Sequence, residues 1–236
     1  MRTAGAALDS TRVERTSDER TRARSVFASA WNVTAAPLLT PRTARILAAG
    51  AVLTGGALLI EDPESTARAL EQPGLDQASD LGNLYGNGVT LGSGVLVLLA
   101  IGAGAHDARC LAAGTDAVRA LGAAYASVGV LKLAVRRTRP DGGSYSFPSG
   151  HSAGAFAIAP VLADHFGWKV GCPAYALAVM TGLGRLEDRK HYLSDVVFGA
   201  ALGTAAGVAF SGSHAAGAPA LSVTLQGGQP ALTLRF

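Results

Sequence analysis

Six runs of almost unbroken apolar residues, 46–60, 84–105, 120–131, 153–163, 170–183 and 196–210, constrain this chain more than any other feature. Their lengths and their Ala and Leu content favour helix over strand. Only 84–105 has, without a charged side chain, the length that crosses a bilayer. The others borrow flanking residues to do so, or are the buried helices of a soluble bundle. Composition bears on that choice: 49% of the 236 residues are hydrophobic and 16% charged. That is too apolar for a disordered chain and too poor in charge for an average soluble domain. The expected fold is all-α, a bundle of about six apolar helices embedded in or associated with a membrane, with a small C-terminal β-hairpin.

Three pieces follow from this pattern. Residues 1–44 form a charged, Arg-rich tail without the adjacent apolar core of a secretory signal. Residues 45–214 form the helical domain. In 215–236, Leu221, Val223 and Leu225 alternate, Gly227 and Gly228 offer a turn, and Leu232, Leu234 and Phe236 alternate again, a hairpin pattern. The net charge of +3 comes without a basic run interleaved with aromatics, so nucleic acid is not an expected partner. Cys110 and Cys172 make neither a metal spacing nor a disulfide framework.

Charge also suggests an orientation. Residues 1–45 carry eight Arg against four acids, whereas 61–83 carries six acids against Arg68 alone. Basic residues gather on the cytoplasmic side of short connections. With the tail inside, 61–83, 132–151 and 184–195 all fall on the extracytoplasmic face, and the two richest late connections share one end. An up-down soluble bundle has the same parity. Gly199, Gly203 and Gly207 stand four apart, as do Gly150 and Gly154, a spacing that lets helix backbones approach closely.

Three clusters lie on that shared face. In KLAVRRTRP, Lys132, Arg136 and Arg139 fall at i, i+4 and i+7, one stripe of cations if the segment is helical, and Pro140 turns the chain. In FPSGHS, Pro148, Ser149 and Gly150 precede an apolar run, so the free N–H groups of a helix start favour phosphate beside His151. In GLGRLEDRKHYLSD, Arg185 offers a forked, permanent cation. His191 and Asp195, four apart on one helical face, give an imidazole whose second nitrogen a carboxylate can hold. Cations, two histidines, a helix N-terminus and one orienting Asp suit phosphoryl transfer, which needs mainly positioning and charge neutralisation.

The clusters resemble the signature of the type-2 phosphatidic acid phosphatase superfamily, which includes non-specific acid phosphatases and vanadium-dependent haloperoxidases. Its three parts are matched by Lys132-x6-Arg139-Pro140, Pro148-Ser149-Gly150-His151 and Arg185-x5-His191-x3-Asp195. The resemblance implies a metal-independent acid or lipid phosphatase that needs no cofactor and is inhibited by vanadate. By the same resemblance His191 attacks phosphorus to form a phosphohistidine, Asp195 orients it, and His151 serves as acid and then base. Lys132, Arg139, Ser149, Gly150 and Arg185 then hold the phosphate. Gly184 departs from the signature, which has Ser there, and implies weaker or altered binding.

The implied substrate is a phosphorylated lipid or a small phosphate ester, met at a membrane with the site on the extracytoplasmic side. Two other readings are a non-catalytic phospholipid-binding membrane protein and a vanadium-dependent haloperoxidase, whose chains are typically much longer. His106, His165 and His214 match nothing and read as surface or packing residues. Glu187, Asp188 and His191 do not read as a metal site, because their surroundings are cationic. The glycine-rich GNGVTLGSG follows no strand and is not read as a dinucleotide loop.

Overall fold

The computed structural model describes residues 36–72, 74–212, 220–226 and 229–235. After a short 3₁₀ turn, Ala36–Leu39, the described helices are α1 (Pro41–Ile60), α2 (Pro63–Leu70), α3 (Leu75–Gly86), α4 (Gly88–Gly104), α5 (Ala108–Val135), α6 (Gly150–Phe166), α7 (Trp168–Glu187) and α8 (Leu193–Phe210). Two strands, β1 (Ala220–Gln226) and β2 (Gln229–Arg235), pair antiparallel with Ala220 opposite Arg235.

The bundle has eight described α-helices rather than six. Two of them come from what reads in sequence as the polar connection 61–83. Asp62 caps α2 by accepting the N–H groups of Glu64 and Ser65, and Pro63 takes the first helical position. Gly74 opens α3 at φ 100°. The segment 84–105, expected as the one full-length span, is broken: α3 stops at Gly86, Asn87 caps α4 through the Val89 N–H, and the two helices meet at 60°. Among the described residues, the helices long and apolar enough to cross a membrane are instead α1, α5 and α8, with bent α3–α4 as a fourth if it counts as one span. Flanking residues supply the missing length, as in α5, which begins twelve residues before its apolar run. Large apolar side chains on these helices face outward, among them Leu59, Ile60, Val89 and Leu96, as lipid-facing surfaces do.

Helix α6 lies at the centre. Ala153, Ala155, Ala157, Ile158, Ala159 and Val161 are all buried, between α5, α7 and α8. The glycine row of α8 sets its closest approach. A Cβ added at Gly199, Gly203 or Gly207 would fall 2.6, 2.1 or 2.4 Å from the carbonyl oxygens of Ser149, Ala153 and Ala157. Backbone thus rests on backbone for two turns, bringing the start of α8 beside the start of α6. The polar connections gather at that end through Glu64–Arg189 at 3.1 Å and Lys190–Asp141 at 2.7 Å.

Candidate active site

The end of α5 decides where the first cluster points. The helix stops at Val135, because Arg136 turns into the left-handed region at φ 50°. The expected stripe of Lys132, Arg136 and Arg139 therefore does not exist. Lys132 is still helical and donates to the carbonyls of Tyr145 and Ser146. The Arg136 side chain folds back onto the Leu133 carbonyl. Arg139 lies in the following loop, where its Nε donates to the Ser144 carbonyl at 3.0 Å, and its charge reaches both histidines. Tyr145 and Arg189 also sit at positive φ, 60° and 53°. Such strained non-glycine residues persist where surrounding contacts hold them.

Ser149 caps α6. Its buried hydroxyl accepts from the Ser152 N–H at 3.4 Å and the Ser152 hydroxyl at 3.0 Å. The N–H groups of Gly150 and His151 come next, and first-turn donors have no carbonyl below them in the helix. The Ser149 N–H donates to the Asp195 carbonyl at 3.0 Å, tying this start to that of α8.

His191 is not on a helix, as the four-residue spacing suggested. Helix α8 begins at Leu193 with Tyr192 as its cap, and Asp195 reaches back to accept the Tyr192 N–H at 2.9 Å. The same oxygen, Oδ2, accepts from the Ser146 hydroxyl and lies 3.6 Å from His191 Nδ1. The last gap exceeds a hydrogen bond; Ser146 Oγ stands 3.5 Å from the same nitrogen. Nδ1 thus faces a wholly buried carboxylate, and Nε2 is the nitrogen left for chemistry. The His191 main chain is held too, its N–H donating to the Arg185 carbonyl at 3.2 Å.

Arg185, at the end of α7, is nearly buried. Its Nη1 donates to Asn83 Oδ1 at 2.8 Å and to Asp188 Oδ2 at 3.0 Å, and Asn83 donates to the same Asp188 oxygen at 3.0 Å. The charges of Arg185, His191, Arg139 and Lys132 all reach His151. Burial first, then these four cations, push the His151 imidazole down to about 4. Burial also lowers His191, with Asp195 opposing and Lys132 and Arg139 adding to the fall.

One end of the bundle thus brings together Lys132, Arg139, Ser149, Gly150, His151, Arg185, His191 and Asp195. Four further residues belong to the site and carry no marker in local spacing. Ser146 bonds Asp195. Arg137 bonds Asp195 and Ser194, and Glu61 bonds Arg137. Asn83 holds Arg185 from 102 positions away, and Glu61 reaches Arg137 across 76. Among the remaining histidines, His165 pairs with buried Asp116 at 3.0 Å, far from this end. His106 is exposed at a positive φ of 56°, and His214 lies outside the described residues. Among the described residues no group of His, Cys, Asp and Glu has a metal-holding arrangement.

Comparison with known proteins covers the same region. A lipid A 1-phosphatase of Porphyromonas gingivalis is 39% identical over 80 residues, 32% of this chain and 18% of that protein. A phosphatidylglycerophosphatase B of Bacillus subtilis is 36% identical over 90 residues, 31% of this chain and 44% of that protein. The chain thus spans less than half the length of these curated relatives. The crystal structure of a transmembrane PAP2 type phosphatidylglycerolphosphate phosphatase from Bacillus subtilis superposes with a TM-score of 0.59 at 25% identity, covering 73% of this chain and 96% of that one. The model of the PAP2 superfamily matches residues 113–216. Over residues 113–216, all three clusters included, this chain is similar to the PAP2 superfamily.

Proposed function

We propose that this chain is a phosphatase that hydrolyses a lipid phosphate or pyrophosphate through a phosphohistidine intermediate. One observation carries the reading: two histidines, a buried carboxylate and three cationic side chains from three separate stretches converge at one end of the bundle. His191 Nε2 attacks phosphorus while Asp195 faces Nδ1, the N–P bond forms, and the P–O bond to the leaving group breaks. The departing oxygen takes its proton from His151. Water then attacks, His151 takes a proton from it, the N–P bond breaks and phosphate leaves. Lys132, Arg139, Arg185 and the first N–H groups of α6 hold the charge on the phosphate oxygens. No step calls for a metal or cofactor.

The lipid reading rests on three supports. The relatives are named as phosphatases of lipid A and of phosphatidylglycerophosphate. The chain has helices of membrane-crossing length and composition. An apolar cavity of about 320 Å³ lies between α3, α4 and α6, lined by Tyr85, Leu91, Val95, Leu98, Ile158 and Leu162. Ile158 and Leu162 follow His151 at i+7 and i+11, on one face of α6, so an apolar tail there leads up to the histidine. On this reading the site opens on the extracytoplasmic side.

The test is turnover of phosphate from a long-chain lipid phosphate and from an aryl phosphate in detergent. His191→Ala is expected to abolish both, and orthovanadate to compete with substrate because its five-coordinate adduct resembles the transition state. Wild-type turnover in His191→Ala sinks the mechanism. Equal kcat/KM for the long-chain and the soluble ester sinks the lipid assignment. Lipid binding without turnover would identify a non-catalytic binder, and halide oxidation after vanadate loading a haloperoxidase.

A further inference from the structure

Behind Asp195 stands a second layer of charge that none of the steps above uses. Arg137 lies just past the end of α5, with its guanidinium 3.7 Å above the Tyr192 ring. Its Nη1 donates to Asp195 Oδ1 at 3.0 Å and to the Ser194 hydroxyl at 2.7 Å, while Nη2 donates to Glu61 Oε1. The other oxygen of Glu61 accepts the Ser194 N–H at 3.1 Å. Glu61 is the cap residue of α1 and its side chain is 9% exposed. The first helix of the bundle is thus tied to the carboxylate that faces the nucleophile.

The charges alternate along this line: Glu61 negative, Arg137 positive, Asp195 negative, then the His191 ring. An arginine bonded to Asp195 without a counter-charge would cancel much of the field that favours an imidazolium. Glu61 offsets that cation and holds Nη2 of its fork with a charge-assisted hydrogen bond, while its other oxygen takes the Ser194 N–H. We infer that Glu61 and Arg137 are positioning residues that set, through Asp195, the proton affinity and orientation of His191. The inference rests on the phosphohistidine reading. Other charges facing His191 are Lys132 from α5, Arg139 from the loop and His151 from α6; they are the same in every variant below.

The two partners carry opposite charge, so their removal has opposite signs. In Glu61→Gln the Arg137 cation is unbalanced and His191 titrates lower. In Arg137→Gln two carboxylates remain without their cation and His191 titrates higher. The experiment is a histidine ¹⁵N NMR titration of the detergent-solubilised full chain, with the His191 signal assigned by its loss in His191→Ala. Shifts on the order of half a unit or more are expected, down in Glu61→Gln and up in Arg137→Gln, each with kcat reduced about tenfold or more. Shifts of the same sign, or a His191 titration unmoved while kcat falls, overturn the inference and leave a structural brace. If Arg137→Gln does not fold, Glu61→Gln decides alone: a lowered titration supports the inference and an unmoved one overturns it. Phosphatase turnover by the wild type is measured alongside. Its absence defeats the proposed function, whereas its presence with unshifted titrations defeats this inference only.

Discussion

Gly184 on α7 lies directly against Asn83 on α3: a Cβ added at residue 184 would sit 2.7 Å from Asn83 Oδ1 and 2.8 Å from the Ser79 carbonyl oxygen. The missing side chain leaves room for the amide that holds Arg185. Gly184→Ser, which restores the residue of the family signature, is expected to push α3 away and release Arg185 from Asn83. We expect kcat/KM for a phosphate ester to fall ten- to hundredfold, by misplacement of the cation proposed to bind phosphate. Asn83→Ala should act in the same direction without any overpacking. Steady-state kinetics of both variants check this. Gly184→Ser activity equal to wild type would mean that Asn83 is not needed.

Proton affinity gives a second prediction. Both imidazoles lie below the ordinary histidine value of 6.5, His151 at about 4. In the proposed mechanism, departure of the alcohol needs a proton on His151, and that proton is lost as pH rises. The optimum of kcat/KM, which reports the free enzyme, is therefore expected on the acid side of neutrality. A bound phosphate brings negative charge against His151 and raises its proton affinity, so the basic limb of kcat should lie at higher pH than that of kcat/KM. Profiles of the two constants on one substrate test this. A kcat/KM that climbs through pH 7 to 8 contradicts it.

Ser146 supplies a third. It is wholly buried, donates to Asp195 Oδ2 and stands beside His191 Nδ1. Ser146→Ala leaves one oxygen of a buried carboxylate short of a donor, a loss worth about 1–3 kcal/mol. Turnover should fall about tenfold or more. Asp195→Asn, which takes away the carboxylate itself, should cost on the order of a hundredfold or more by comparison with other His–Asp pairs. Reversal of that order would place the decisive contact at Ser146.

A fourth concerns packing. A Cβ at Gly203 would meet the Ala153 carbonyl at 2.1 Å, and Ala153 lies on the central helix. Gly203→Ala must separate α6 from α8 and is expected to destabilise the fold by about 1–3 kcal/mol. Thermal unfolding in detergent measures it. Gly94, whose added Cβ meets nothing within 4 Å, is the matched control.

Much of the site was legible because each cluster carries its own local signal. Pro148, Ser149, Gly150 and His151 look like a helix start, and Ser149 is the cap. The Gly199, Gly203, Gly207 row reads as a close helix contact, and the carbonyls of α6 are what it touches. Helical periodicity does not carry past a helix end. Arg136 breaks α5 one residue before Arg137, so the cation that hydrogen-bonds Asp195 is one that lies off the expected stripe. His191 likewise precedes α8, and its partnership with Asp195 comes from the cap. Helices α2 and α3 were hidden because short, polar or glycine-bearing helices gain stability from neighbours rather than from propensity. Glu61 and Asn83 act across distances in sequence that no local pattern encodes.

The bend at Asn87 has a mechanical consequence. Its two arms cannot slide as one rod, so a displacement of α4 is felt as rotation at the joint rather than as travel along the helix. Asn83, which grips Arg185, stands one turn from that joint. A displacement of α4 therefore has a short lever on the contact between Asn83 and Arg185.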